Sequence, residues 1–139
     1  MKTTTSRAFR QKHLNSYTVD DFDNFQDYFF YLHLNRRTQI WHTLGFFLGG
    51  PLIPWGLKQA LKKKFWPVII ATSLFYGFGY VSHWTEDGQI SSTVKNFWPS
   101  YWGGILLALR FAMGRMPYHE RRFIEKYPHV LWVYQQEAR

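Results

Sequence analysis

Residues 41–57 read WHTLGFFLGGPLIPWGL and residues 65–82 read FWPVIIATSLFYGFGYVS, and neither run holds a Lys, Arg, Asp or Glu. A third run, 97–113, reads FWPSYWGGILLALRFAM and carries one charge, Arg110, near its end, where a long stem reaches the headgroups. About 17 to 25 predominantly apolar residues cross a bilayer, so each run has the length of a span, the first only just. Trp41, Trp55, Trp66, Trp98 and Trp102 stand near the ends of the runs, as an interfacial aromatic belt requires. Gly49, Gly50, Pro51 and Pro54 interrupt the first run, which predicts a bent or re-entrant helix. Gly45 and Gly49 make a GxxxG pair. Gly77, Gly79, Gly103 and Gly104 give the other runs smooth faces for close helix packing, within this chain or against another membrane subunit. The competing reading is three core helices of a globular domain.

The composition agrees with one such unit. Of 139 residues, 46% are apolar and 21% aromatic, enough for a single domain, and a mean hydropathy of −0.33 means that the apolar residues are concentrated in runs. With no cysteine, a disulfide scaffold, a thiolate zinc site, an iron–sulfur cluster and a cysteine nucleophile are excluded, leaving histidines and carboxylates as metal ligands. The formal charge of +8 comes in short basic blocks beside the apolar runs. No zinc finger, basic recognition helix or RNA-binding aromatic motif accompanies it, so nucleic acid is not an expected partner.

Three segments follow. Residues 1–17, rich in Lys, Arg, Ser and Thr and free of acid, resemble a mitochondrial address. Residues 18–113 form the membrane domain, in which Thr18 and Asp21 cap an amphipathic interfacial helix over about 19–34 that precedes spans over about 41–57, 65–82 and 97–113. Residues 114–139 are a short helical segment whose Val130, Leu131, Trp132, Val133 and Tyr134 are too apolar for a free tail and need something to dock on. The expected fold is thus an all-α membrane protein with about three transmembrane helices. Basic residues beside the membrane number three on the N-terminal side and nine on the other, which predicts the second side to face cytoplasm or matrix. Arg36, Arg37 and Arg110 are the expected lipid or partner contacts.

This topology brings His33, His42 and His83, with Glu86, to one membrane surface. Histidines and a carboxylate suit a non-haem iron centre; the bland alternative is polar side chains bonding to loops or lipid at headgroup level. His33 and His42, nine residues apart, fall on opposite faces of one continuous helix, so both reach one metal only if the chain bends between them. Asn35 or Thr38 is placed to cap a new helix there. His83 and Glu86, three apart, share a face of an unbroken helix.

Two motifs run through these residues. One is Tyr31-Leu32-His33-Leu34-Asn35, continuing through Arg36-Arg37 to His42-Thr43-Leu44-Gly45; the other is Tyr76-Gly77-Phe78-Gly79-Tyr80, leading to His83 and Glu86. Over roughly residues 25–113 the chain resembles the small polytopic membrane proteins of the 2-hydroxy-fatty-acid dioxygenase family, which act in fatty-acid α-oxidation. That resemblance implies Fe(II) as cofactor and His33, His42 and His83 as its ligands. The second motif departs from the family: Ser82 stands where Gly precedes the histidine, Glu86 follows it by three residues and not four, and Gly88-Gln89-Ile90-Ser91-Ser92 replaces an Asn-Arg-Pro-Ala stretch. These departures favour an accessory subunit of a larger membrane complex, in the mitochondrial inner membrane with the endoplasmic reticulum as the alternative. Its expected partners are membrane lipids and other membrane subunits, and no residue is assigned as catalytic. The other function is an active Fe(II)-dependent dioxygenase of 2-hydroxy fatty acids.

Overall fold

In the computed structural model, which describes residues 15–87 and 96–137, Thr18 and Asp21 form the expected capping box, the Thr18 amide donating to Asp21 Oδ2 at 2.7 Å. The box opens a single 3-10 turn, Val19–Asp21, because Phe22 leaves in extended conformation and turns its ring into the core. A second cap is needed before a true helix starts. Asn24 supplies it, its Oδ1 accepting from the Asp27 amide at 2.9 Å, and α1 runs Phe25–Leu32. The expected interfacial helix over 19–34 is therefore corrected to a turn, a break and an eight-residue helix. Nor does α1 lie on a surface, since Phe29, Phe30, Tyr31 and Leu32 are all buried.

Six more helices follow: α2 Arg36–Gly49, α3 Leu52–Ala60, α4 Trp66–Ser82, α5 Phe97–Ala112, α6 Met116–Lys126 and α7 Leu131–Glu137. The protein is all-α, with no strand among the described residues. Pro51 cannot donate to the preceding turn, so the first apolar run breaks after Gly50 into α2 and α3, of 14 and 9 residues. The longest helix, α4, has 17 residues, about 26 Å against a hydrocarbon core of about 30 Å. Among the described residues no helix is long and apolar enough to cross a membrane. Residues 1–14 of the basic segment and the stretch 88–92 lie outside the described residues.

Helix α4 packs along both α2 and α3, and α5 packs on α2 and α1. Glycines set the approach. A Cβ on Gly45 would stand 2.7 Å from the Phe75 carbonyl oxygen, one on Gly49 would strike the Phe75 backbone, and one on Gly103 would stand 2.7 Å from the Phe29 ring. The packing is within the chain. Gly77 and Gly104, expected on packing faces, differ: a Cβ at either would meet nothing within 4 Å. The reason is that α4 and α5 meet through rings, Phe75 on Tyr101 at 5.4 Å and Tyr76 on Phe97 at 5.8 Å.

The C-terminal segment docks on its own chain. Phe123, Tyr127, Val130 and Val133 from the α6–α7 region close over Phe22, Phe30, Tyr31, Leu32 and Leu34 in one buried cluster. Lys126 ties the two ends together, its Nζ lying 2.8 Å from Asp23 Oδ2 and 2.7 Å from Asp27 Oδ2.

Candidate metal centre

His33 terminates α1, its amide donating back to the Phe30 carbonyl at 3.0 Å. Two residues later Asn35 is extended and its Oδ1 accepts from the amides of Arg37 and Thr38, at 2.9 and 3.2 Å, which starts α2 in a new direction. The chain thus bends where nine-residue spacing required it. His42, two turns into α2, now faces His33, with Nε2 atoms 3.1 Å apart. His83 enters from the end of α4, its Nε2 3.2 Å from that of His33. The ligand atoms of the three rings all lie within 4.8 Å of one another.

The hydrogen bonds on the far side of two rings decide what these atoms are. His33 Nδ1 faces the Phe29 carbonyl at 2.6 Å, and His42 Nδ1 faces the Thr38 carbonyl at 2.9 Å. A carbonyl only accepts, so each Nδ1 carries the hydrogen and each Nε2 presents a bare lone pair. Two lone pairs aimed at each other across 3.1 Å repel, and a cation between them removes the conflict. Burial, and then its two imidazole neighbours, hold the His33 pKa well below the ordinary 6.5, so it is neutral and able to ligate at any pH near neutrality. The donor set fits a divalent transition metal.

Packing fixes the rings. Phe29 stacks on His33 at 4.0 Å between centroids, and a Cβ on Gly79 would stand 3.0 Å from His42 Nε2, so a larger residue there would press the ring aside by a few tenths of an ångström. Beyond His83, α4 continues as a π-helical turn, His83–Asp87, a feature that re-aims side chains at helix ends. It also corrects the assignment of Glu86. The wider turn takes a residue three positions on away from the histidine's face, and Glu86 lies 3.8 Å from Arg37, outside the metal-binding group. The other expected lipid or partner contacts also meet groups of this chain: Arg36 sits 4.6 Å over the Phe111 ring and Arg110 5.9 Å over Phe30.

A small cleft of about 40 Å³ opens onto the histidines, lined otherwise by Phe29, Phe46, Phe75, Tyr76, Tyr80, Ser100 and Gly104. Behind them lies a buried polar brace that the sequence did not disclose. Gln39 Nε2 donates to the His33 carbonyl at 3.0 Å and to Glu120 Oε1 at 3.1 Å, Tyr134 donates to Glu120 Oε2 at 3.0 Å, and Asn35 donates to Glu137 at 3.0 Å. Three of these four bonds join residues 14 to 102 apart, and such pairs have no local signal. The C-terminal segment therefore fastens the corner between the first two histidines.

Among the described residues, seven helices around three converging imidazoles define a small all-α protein with a candidate metal centre at a helix junction. The model of one family, described as 2-hydroxy-palmitic acid dioxygenase Mpo1-like, matches residues 19–116, more than half of the chain, and the chain belongs to that family. Neither a curated protein nor a solved structure matches the chain significantly.

Proposed function

We propose that this protein is an Fe(II)-dependent dioxygenase of 2-hydroxy fatty acids that works in contact with lipid. The observation that carries the reading is the convergence of three Nε2 atoms, of which those of His33 and His42 turn their lone pairs toward each other. His33, His42 and His83 would hold the iron, and what ferrous iron supplies there is redox chemistry toward dioxygen. The remaining work belongs to the chain. Three neutral imidazoles leave the charge of a buried divalent ion uncompensated, because Glu86 is turned to Arg37. An anionic ligand completes the balance, and a carboxylate with a neighbouring hydroxyl is suited to that. Phe29, Phe46 and Phe75 exclude water from the cleft and offer apolar contact to the first carbons of a chain.

Support for lipid comes from the outside of α2–α5. Leu44, Phe47, Leu48, Trp55, Leu57, Ile69, Ile70, Trp98 and Trp102 are exposed on these helices, a concentration of large apolar side chains suited to contact with lipid. At the turn between α3 and α4, Leu61 is 88% exposed beside Lys58, Lys62, Lys63 and Lys64, a pairing suited to an anionic headgroup layer. The same exposed surface favours a second reading, an accessory subunit of a larger membrane complex in which partner helices cover it. The C-terminal segment no longer argues for such a partner, since α1 receives it.

The test is oxygen uptake by iron-loaded protein in lipid nanodiscs, offered 2-hydroxypalmitate or palmitate. Iron-dependent consumption of the hydroxy acid alone is expected. Folded, iron-loaded protein that consumes neither acid contradicts the enzyme reading, and its recovery from native membranes in a large complex would establish the second.

A further inference from the structure

Beside the facing lone pairs of His33 and His42, the cleft is bordered by another polar atom without a complement. The Tyr76 hydroxyl is buried, with no hydrogen-bond partner, although Tyr76 lines the same cleft as His33, His42 and His83. Its ring is fixed on both sides, against Phe75 at 4.9 Å and Phe97 at 5.8 Å, so the hydroxyl is held by aromatic packing and not by a bond of its own. A buried hydroxyl left unbonded is costly, and an equally shaped phenylalanine would avoid that cost. Nearby, Gly104 borders the cleft and a Cβ there would meet nothing within 4 Å. It therefore faces empty space, although glycine inside a helix is costly relative to alanine. An unpartnered donor and an unfilled space thus lie beside one cleft.

We infer that Tyr76 is a positioning residue: its phenol donates a hydrogen bond to an oxygen of the polar head of a single-chain hydroxy acid whose head lies at the three histidines and whose first carbons pass over Gly104. This rests on the function proposed above and names how the same site holds its ligand. The hydroxyl is the atom at stake, since Tyr76→Phe keeps the ring and its packing and removes only the donor.

The experiment measures equilibrium binding of 2-hydroxypalmitate to iron-loaded protein under argon, with iron content and thermal unfolding followed in parallel, for wild type, Tyr76→Phe and Gly104→Leu. Argon excludes turnover, so the readout is independent of activity. Tyr76→Phe is expected to hold the same iron and unfold no earlier, yet bind the acid about tenfold more weakly, the loss of one hydrogen bond to a charged or polar head. Gly104→Leu is expected to keep iron, fold normally and lose 2-hydroxypalmitate while still binding the two-carbon analogue glycolate. Wild type that binds iron and acid, with Tyr76→Phe indistinguishable from it, overturns this inference alone. Wild type that binds iron but no acid, or neither, overturns the proposed function and this inference with it.

Discussion

Across residues 36–82 the buried positions are Thr38, Gln39, Thr43, Gly45, Gly49, Gly56, Ala71, Gly79 and Ser82, whereas around α1, α6 and α7 they include Phe22, Phe30, Tyr31, Leu32, Phe123, Tyr127, Val130 and Val133. The first region turns small and polar residues inward and large apolar ones outward; the second does the reverse. Different forces hold them. The terminal region has an ordinary apolar core that burial stabilises in water. The α2–α4 region relies on backbone approach through Gly45, Gly49 and Gly56, the packing expected where the surroundings are themselves apolar. The candidate metal centre lies at the seam, with His33 capping the end of α1, His42 on α2 and His83 just beyond the end of α4.

The seam itself is the most sensitive place to break. His42→Ala removes the ring that α2 contributes and leaves two ligands, which is expected to lower iron affinity more than a hundredfold, beyond the about 10–100-fold typical of losing an outer-shell partner, as read by competition with a chelator. The fold should survive, because His42 contributes no apolar contact to the terminal core.

Within the α2–α4 region, Gly49→Ala drives a methyl into the Phe75 backbone and is expected to destabilise by about 1–3 kcal/mol. Gly77→Ala, on the same helix pair but meeting nothing, is expected to be neutral or to stabilise by up to about 1 kcal/mol through helix propensity. Unfolding in detergent measures both, and equal effects would deny that glycine packing holds this region.

In the terminal region the brace is the target. Glu120→Ala leaves the Gln39 amide with its bond to the His33 carbonyl alone and strands the Tyr134 hydroxyl, and is expected to cost about 1–3 kcal/mol, with a loss of about tenfold or more in iron affinity. Unchanged iron binding would show that the C-terminal segment only covers α1.

The smallest effect depends on pH. Below 6.5 the unfolded chain protonates His33 while the folded one, with its pKa held lower, does not. The unfolded state then binds more protons, so metal-free protein should lose stability as pH falls through this range, by at most about 1.4 kcal/mol per unit for this group, and change little above it. A His33→Gln variant should flatten the slope in a thermal-unfolding series.

Sequence went furthest where chemistry was local. His33, His42 and His83 were legible as a group, with the bend they required and the cap, Asn35, that makes it. So were the break at Pro51 and the approach of Gly45 and Gly49. The misread start of α1 followed from a real cap: the Thr18–Asp21 box exists, but Phe22 is worth more in the core than in another helical turn. Glu86 failed because the expectation of a shared face assumes an α-helix, and the chain has a π turn there. The Gln39–Glu120–Tyr134 brace had no periodicity to betray it, since it joins helices brought together only by the fold.

The claim that three imidazoles hold one ion is tested most directly by X-ray absorption at the iron edge, on protein loaded with Fe(II) under argon and stripped of excess metal. One iron per chain is predicted, with about three imidazole rings in its coordination shell. Protein that retains no iron after stripping, or retains it in a shell of oxygen atoms alone, would contradict the account.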